Sequence, residues 1–240
     1  MQESPVVQTR DFDFPAAWRA LRALLSGQGD PATGARLSLA LGMRRWYRVL
    51  RDKIAAYPGG KPLLAERPPM GAMLNDWDAL RQLPEGSVGR EYLQWAEREQ
   101  LTVQGLEDAV APVFARMPTE ELEFVRNRSR DLHDLFHVLT GYGRDSGGET
   151  ALLVFTAIQH GNKSLRFLSW LGLLHAIAKR RFDIVRLRYR AKRRARQAEL
   201  LIAQPWHQLL EQPIDQVRAE LGLSDPPAYR AFDAHAAAIA

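Results

Sequence analysis

Residues 119–159, TEELEFVRNRSRDLHDLFHVLTGYGRDSGGETALLVFTAIQ, contain the strongest structural signal in this 240-residue chain. Thr119 can cap a helix, and the two glutamates that follow place negative charge in its first turn, where the helix dipole favours it. The predicted helix runs to about Thr140 and ends in a glycine-rich turn. A second, apolar helix is predicted from Glu149 to Gln159. The segment is therefore interpreted as two consecutive helices joined by a short turn.

The rest of the chain shows the same helical periodicity and lacks the alternating pattern typical of β-strands. Residues 164–203 predict one or two further helices, and Pro213 suits the first turn of another, which Gly222 ends. With 46% hydrophobic residues the chain can bury a sizeable core. We therefore expect an all-α fold with a single helical domain over residues 13–223, flanked by tails at residues 1–12 and 224–240.

Four side chains around the predicted turn have the chemistry of a metal site. His133 and His137 are four residues apart, so their Cβ atoms lie about 5–6 Å apart and the imidazoles can converge. Asp134 lies on the same arc of that helix, and Glu149 can return from the start of the next. The chain has no cysteine, which leaves His and carboxylate as its strong side-chain ligands. Two imidazoles and two carboxylates suit zinc or iron, although ordinary surface polar residues are the simpler alternative.

The segment HDLFHVLTGYGRDSGGE, residues 133–149, resembles the HDxxH(x₁₁)E signature of a ubiquinone biosynthesis family whose founding member is coenzyme Q biosynthesis protein 4. The similarity extends over roughly Asp13 to Leu223. It includes LLAERPP at residues 63–69, PEGSVGREYLQW at 84–95 and WHQLLEQPIDQVRAELGL at 206–223. The resemblance implies an all-helical fold and one divalent metal ion. The ligands it implies are His133, Asp134, His137 and Glu149.

The same resemblance implies a function on prenylated aromatic precursors of ubiquinone. We expect a metal-dependent decarboxylase that removes the ring carboxylate of a prenylated 4-hydroxybenzoate and hydroxylates the same ring carbon, C1. Glu149 is the candidate catalytic residue. Arg144 and Tyr142, in the turn between the ligands, are candidate substrate contacts, because a guanidinium can bind a carboxylate through two hydrogen bonds. For both, a solvated turn residue is the alternative.

A non-catalytic role also fits the resemblance. In this alternative the protein is a lipid-binding scaffold that organises other ubiquinone-biosynthesis proteins at the membrane, and its metal is structural. In either case a homodimer is the expected assembly.

The basic residues are concentrated in one stretch. Residues 179–196, KRRFDIVRLRYRAKRRAR, hold ten of the 33 Lys and Arg against a single acid, so the remainder of the chain is net acidic. The stretch follows apolar residues between Phe167 and Leu174, and this pairing is typical of an interfacial helix. We expect residues 167–196 to bind an anionic membrane surface. A solvated helix face is the alternative, and with only Phe182 and Tyr189 available for base stacking, nucleic acid is not an expected partner.

The sequence predicts no N-terminal targeting segment and no membrane-spanning segment. Residues 1–14 contain three acids and no apolar run, unlike a secretory signal or an Arg-rich transit peptide. The longest apolar stretch, Phe167 to Ala178, is shorter than the roughly 20 residues that cross a bilayer. Eukaryotic members of the family have a mitochondrial presequence. We therefore expect a bacterial cytoplasmic protein, peripherally associated with the inner membrane.

Overall fold

The computed structural model of the protein describes residues 13–25, 33, 37, 40, 43–101, 117–223 and 228–229. Within these ranges all regular structure is helical, which confirms the predicted all-α class and the single helical domain. The α-helices are α1 (Phe14–Leu25), α2 (Met43–Ala56), α3 (Gly60–Glu66), α4 (Met70–Asn75), α5 (Trp77–Gln82), α6 (Val88–Arg98), α7 (Glu120–Thr140), α8 (Ser146–His160), α9 (Lys163–Ala178), α10 (Phe182–Gln197), α11 (Trp206–Leu209) and α12 (Ile214–Glu220).

Helix α7 begins and ends where the sequence predicts. The Thr119 hydroxyl accepts a hydrogen bond from the Leu122 amide at 3.3 Å, as an N-cap residue does. At the other end Gly141 has φ 73°, a left-handed conformation that glycine adopts without steric cost. The predicted capping residue and the predicted terminating glycine are both confirmed.

Helix α8 begins at Ser146, three residues before the predicted start at Glu149. The reason is the side chain of Asp145, which accepts hydrogen bonds from the amides of Gly147 and Gly148 at 3.0 and 3.2 Å. These bonds satisfy two amides of the first turn that have no partner inside the helix. The two glycines therefore belong to the helix and not to the turn.

Long-range contacts of polar side chains hold the C-terminal half of the fold together. The carboxamide of Gln159, near the end of α8, donates to the carbonyls of Ala198 and Glu199 and accepts from the amide of Leu201. Arg128, buried in α7, donates to the carbonyls of Ile202 and Gln204. These bonds fix the chain after α10 against α7 and α8.

The domain boundaries at residues 13 and 223 stay predictions. Residues 164–203 form two helices, α9 and α10, which both pack on α8. The predicted N-terminal tail, residues 1–12, lies outside the described residues. Of the predicted C-terminal tail only residues 228 and 229 are described, and Tyr229 packs against the main core. That position therefore contributes to the folded domain.

His160, the last residue of α8, is a buried neutral histidine. Its ring stacks on Trp46 at 5.7 Å and meets the edge of Phe136, and neither ring nitrogen has a hydrogen-bond partner in the described part of the chain. Burial, with a smaller contribution from the charge of Lys53, lowers the pKa of His160 to about 3. The folded protein therefore excludes a proton that the unfolded chain would bind near its ordinary pKa of about 6.5.

This linkage predicts a specific loss of stability in acid. The contribution of His160 to stability is complete above pH 6.5 and is lost as the pH falls from there toward 3, by about 1.4 kcal/mol per pH unit. In urea denaturation, the free energy of unfolding of the parent should therefore fall between pH 7 and pH 5 by about 2 kcal/mol more than that of His160→Leu. His207→Leu, at a partly exposed histidine, is the control. Equal losses in the parent and in His160→Leu would contradict the assignment.

Candidate metal centre

The structure brings His133, His137 and Glu149 together where α7 and α8 meet. One donor atom of each lies within 4.8 Å of the other two, and we call these residues the metal triad. The His137 Nε2 atom is 3.3 Å from His133 Nε2 and 3.2 Å from Glu149 Oε1, and His133 Nε2 is 3.8 Å from Glu149 Oε2. The triad therefore lies between two consecutive helices.

These separations fit a common metal ion. Ligand bonds of about 2.0–2.2 Å in tetrahedral geometry place neighbouring donor atoms about 3.3–3.6 Å apart. The three observed separations lie close to that range without any movement of the backbone. Two imidazoles and a carboxylate also form a donor set that zinc and iron accept. The residues present therefore fit one divalent cation.

The orientation of His137 is fixed by its neighbours. Its Nδ1 atom lies 2.8 Å from the carbonyl oxygen of Tyr142, and since a carbonyl can only accept, Nδ1 carries the proton. The Nε2 atom therefore faces Glu149 and can bind a cation there, as in metal sites where a second partner sets the tautomer. The Trp95 ring of α6 stacks on the imidazole at 5.6 Å. The side chain of His137 is only 1% exposed as a result.

Each side chain of the triad shifts the pKa of its neighbours. Burial alone would lower the pKa of His137, but the hydrogen bond and the negative charge of Glu149 outweigh it, so this pKa is raised. Burial alone would raise the pKa of Glu149, and the bond and charge of His137 reverse that shift, so it is lowered. Burial and the neighbouring charge of His137 lower the pKa of His133. A bound cation would compete with protons for His137 and Glu149.

The other predicted site residues occupy different positions. Asp134 is not part of the metal triad, although its charge acts on both histidines. Asp134 directly follows His133 in α7 and is therefore turned by about 100° around the helix axis, so its side chain leaves the helix in a different direction. Its role as a ligand stays a prediction.

Arg144 and Tyr142 differ in how accessible they are. Arg144 is 18% exposed, and its charge lowers the pKa of both Glu149 and His133, so the guanidinium lies beside the triad. Tyr142 is 1% exposed. The guanidinium carbon of Arg194 lies over its ring, 5.2 Å from the ring centroid. The structure assigns Tyr142 a contact through its backbone carbonyl. Substrate binding by either residue stays a prediction.

Sequence patterns did not indicate three residues that support the site. Trp95 stacks on His137, Arg194 covers Tyr142, and the Tyr229 hydroxyl contacts Asp145 and Gly143 in the turn between the helices. Each lies at least 40 residues from its partner in sequence. A local sequence pattern does not predict contacts between residues so far apart.

Comparison with known proteins gives consistent matches over most of the chain. Residues 17–227 match the family described as "Coenzyme Q (ubiquinone) biosynthesis protein Coq4". The chain is 32% identical over 185 residues to "Ubiquinone biosynthesis protein COQ4 homolog, mitochondrial" of Bos taurus, which covers 77% of this chain and 68% of that protein. It is 33% identical over 189 residues to the Talaromyces stipitatus protein coq4, covering 77% and 62%. The chain thus spans about two thirds of the length of these relatives.

A solved structure shares the fold. The crystal structure of a protein from Nostoc punctiforme superimposes with a TM-score of 0.68 at 21% identity, covering 89% of this chain and all of that one. At this identity the likeness supports the helical fold alone. The family match covers far more than half of the chain and includes the whole metal triad. The chain therefore belongs to the Coq4 family of coenzyme Q (ubiquinone) biosynthesis proteins.

Proposed function

We propose that this protein acts in coenzyme Q biosynthesis as a metal-dependent enzyme that decarboxylates and hydroxylates C1 of a prenylated 4-hydroxybenzoate. Membership of the Coq4 family supports the biosynthetic role. The observation that carries the chemistry is the metal triad, whose donor separations of 3.2 to 3.8 Å suit a divalent cation. When bound, that cation would polarise the substrate carboxylate and, if it is iron, would activate dioxygen.

The chain supplies the groups that would orient such a substrate. Arg144 lies beside the triad with its guanidinium 3.8 Å from the Glu99 carboxylate, where it can exchange that partner for a substrate carboxylate. Glu149 provides negative charge close to the same point, and its side chain is 15% exposed. The guanidinium of Arg144 would hold the substrate carboxylate at one side of the triad, while Glu149, which would repel a carboxylate, would bind the cation.

The reaction must overcome the aromaticity of the ring. Direct loss of carbon dioxide would leave an electron pair in an aryl σ orbital that has no acceptor. Addition of oxygen at C1 makes that carbon tetrahedral and converts the para hydroxyl to a dienone carbonyl, which accepts the pair when the C1–carboxylate bond breaks. One atom of dioxygen becomes the new hydroxyl. The other leaves as water, with two electrons and two protons from an external reductant.

A lipid-binding scaffold is the second candidate, because one surface of the molecule combines apolar and basic side chains. We call it the apolar–basic face. Its exposed apolar members are Phe167, Trp170, Leu174, Ile177, Phe182, Val185 and Tyr189. Its exposed bases are Arg186, Arg190, Lys192, Arg193 and Arg196. The guanidinium of Arg188 lies over the Trp170 ring, 5.3 Å from its centroid, so these side chains of α9 and α10 are neighbours.

The helical period determines which bases belong to this face. Arg194 is only 5% exposed and donates to the carbonyl of Thr140 at 2.8 Å, so it belongs to the core. Ile184, Leu187 and Ala191 share its side of α10. The bases on the opposite side would attract an anionic bilayer while the aromatic rings enter the headgroup region. No described helix is both long and apolar enough to span a membrane.

The metal proposal predicts one divalent ion per chain. In calorimetric titration with zinc, His133→Ala and His137→Ala should each lose most of the affinity, because too few donors remain. Asp134→Asn should lose less, since Asp134 is outside the triad. His207→Ala is the control and should bind as the parent does. Unchanged affinity in both histidine variants would remove the triad from consideration.

The catalytic proposal predicts release of carbon dioxide from a short-chain prenylated 4-hydroxybenzoate, given metal, oxygen and reductant. Glu149→Gln keeps the shape of the side chain but removes its charge, so activity should fall at least a hundredfold while the helical circular dichroism is retained. Glu97→Gln is the matched control, because Glu97 pairs with Arg81 at 3.0 Å. Mass spectrometry with ¹⁸O₂ should place the label in the new hydroxyl. If the parent releases no more carbon dioxide than Glu149→Gln with zinc, iron or manganese, the result favours the lipid-binding scaffold.

Membrane binding should depend on charge. Each base near an anionic surface contributes about 1 kcal/mol, so the triple variant Arg186→Glu, Arg190→Glu, Arg193→Glu should lose on the order of a hundredfold in partitioning to phosphatidylglycerol vesicles. The variant Arg45→Glu, Arg48→Glu, Arg98→Glu carries the same charge change on other exposed arginines and should still bind. Parental binding by the first variant would contradict the proposal. If the first variant instead becomes monomeric, the face joins two copies in the expected homodimer.

A further inference from the structure

The chain returns to the metal centre after its last helix. Tyr229 lies 80 residues beyond Glu149 in sequence, yet its hydroxyl donates to Asp145 Oδ2 at 2.5 Å and accepts from the Gly143 amide at 2.8 Å. Both partners are in the turn that connects α7 to α8. Tyr229 also lies just beyond residues 17–227, the part of the chain that matches the family.

Asp145 connects this tyrosine to the start of α8. One of its carboxylate oxygens caps the amides of Gly147 and Gly148, and the other accepts from Tyr229. Glu149 follows in the first turn of the helix. The position of Glu149 relative to the two histidines of α7 therefore depends on how this cap is held, and Tyr229 fixes the cap from outside both helices.

Two glycines leave the space that the tyrosine occupies. A Cβ atom at Gly148 would lie 2.3 Å from the Tyr229 hydroxyl oxygen, and one at Gly143 would lie 3.1 Å from it. At Gly148 a Cβ would also meet the Gly143 carbonyl oxygen at 2.1 Å, which is backbone and cannot move aside cheaply. The glycines of this turn thus allow the phenol to approach the backbone that carries Glu149.

The hydroxyl keeps its proton in this position. Burial raises the pKa of Tyr229, and the hydrogen bond to Asp145 raises it further. A neutral hydroxyl can donate to a carboxylate and accept from an amide at the same time, which a phenylalanine ring cannot do. The negative charge of Glu149 makes a smaller contribution in the same direction.

We propose that Tyr229 is a positioning residue of the metal centre, which holds the turn between α7 and α8 so that Glu149 meets His133 and His137. This inference rests on the proposed metal binding. Outer partners of metal ligands typically change affinity by 10–100-fold when removed. Loss of the hydroxyl should therefore weaken metal binding without unfolding the domain, because the ring of Tyr229 still packs against the core.

The test is cobalt(II) binding by the full chain, measured by competition with a chelator and by the visible absorption of the bound ion. Tyr229→Phe should weaken the affinity about tenfold or more and change the cobalt spectrum, which reports ligand geometry. The matched control is Tyr57→Phe, because Tyr57 donates a similar hydrogen bond to the Glu199 carboxylate at 2.7 Å and accepts one from Gln204, both of which lie outside the turn. The control should leave both readouts unchanged.

The outcomes separate this inference from the proposal it rests on. Parental protein that binds no cobalt overturns the metal centre and the role of Tyr229 with it. Parental binding that Tyr229→Phe leaves unchanged in affinity and spectrum overturns the role of Tyr229 alone. If Tyr229→Phe loses affinity only in proportion to a lower melting temperature of the metal-free protein, the tyrosine is merely structural and the inference is wrong.

Discussion

The fold depends on how the C-terminal end of α7 is satisfied. The last carbonyls of a helix have no partner within it, and here they are buried beside the metal triad, where water cannot serve. Arg218 donates to the carbonyls of Val138 and Leu139, and Arg194 donates to that of Thr140. These arginines belong to α12 and α10, so the helix that presents the histidines can end only when both of those helices are in place.

This constraint explains why so much polar chemistry lies inside a helical core. Arg128 and Gln159 each bond to several carbonyls of the segment between α10 and α11, and each would leave unpaired groups if that segment moved. Buried polar groups stabilise one arrangement over its alternatives because any other arrangement leaves them unsatisfied. The triad gains from the same rigidity. Its three donors stay close to one point, with His137 buried and with His133 and Glu149 partly exposed.

Helix α10 serves both candidate functional regions. Its inward side carries Arg194, which holds the end of α7 and lies over Tyr142, whose carbonyl orients His137. Its outward side carries Arg186, Arg193 and Tyr189 of the apolar–basic face. Neighbouring arginines differ in role because successive residues of a helix are turned by about 100°. A basic stretch is thus divided between a structural contact and a surface for anionic partners.

Local rules sufficed for the elements that depend on neighbours in sequence. The four-residue spacing of His133 and His137, the Thr119 cap and the left-handed Gly141 follow from helical geometry. The HDxxH(x₁₁)E signature, which includes both histidines, indicated the family. Tertiary structure alone decided what depends on distant residues. It left Asp134 outside the triad, turned Arg194 inward, and brought Tyr229 to a turn more than 80 residues away. Contacts across such separations depend on the packing of whole helices, and the helical period of the sequence does not indicate which helices pack together.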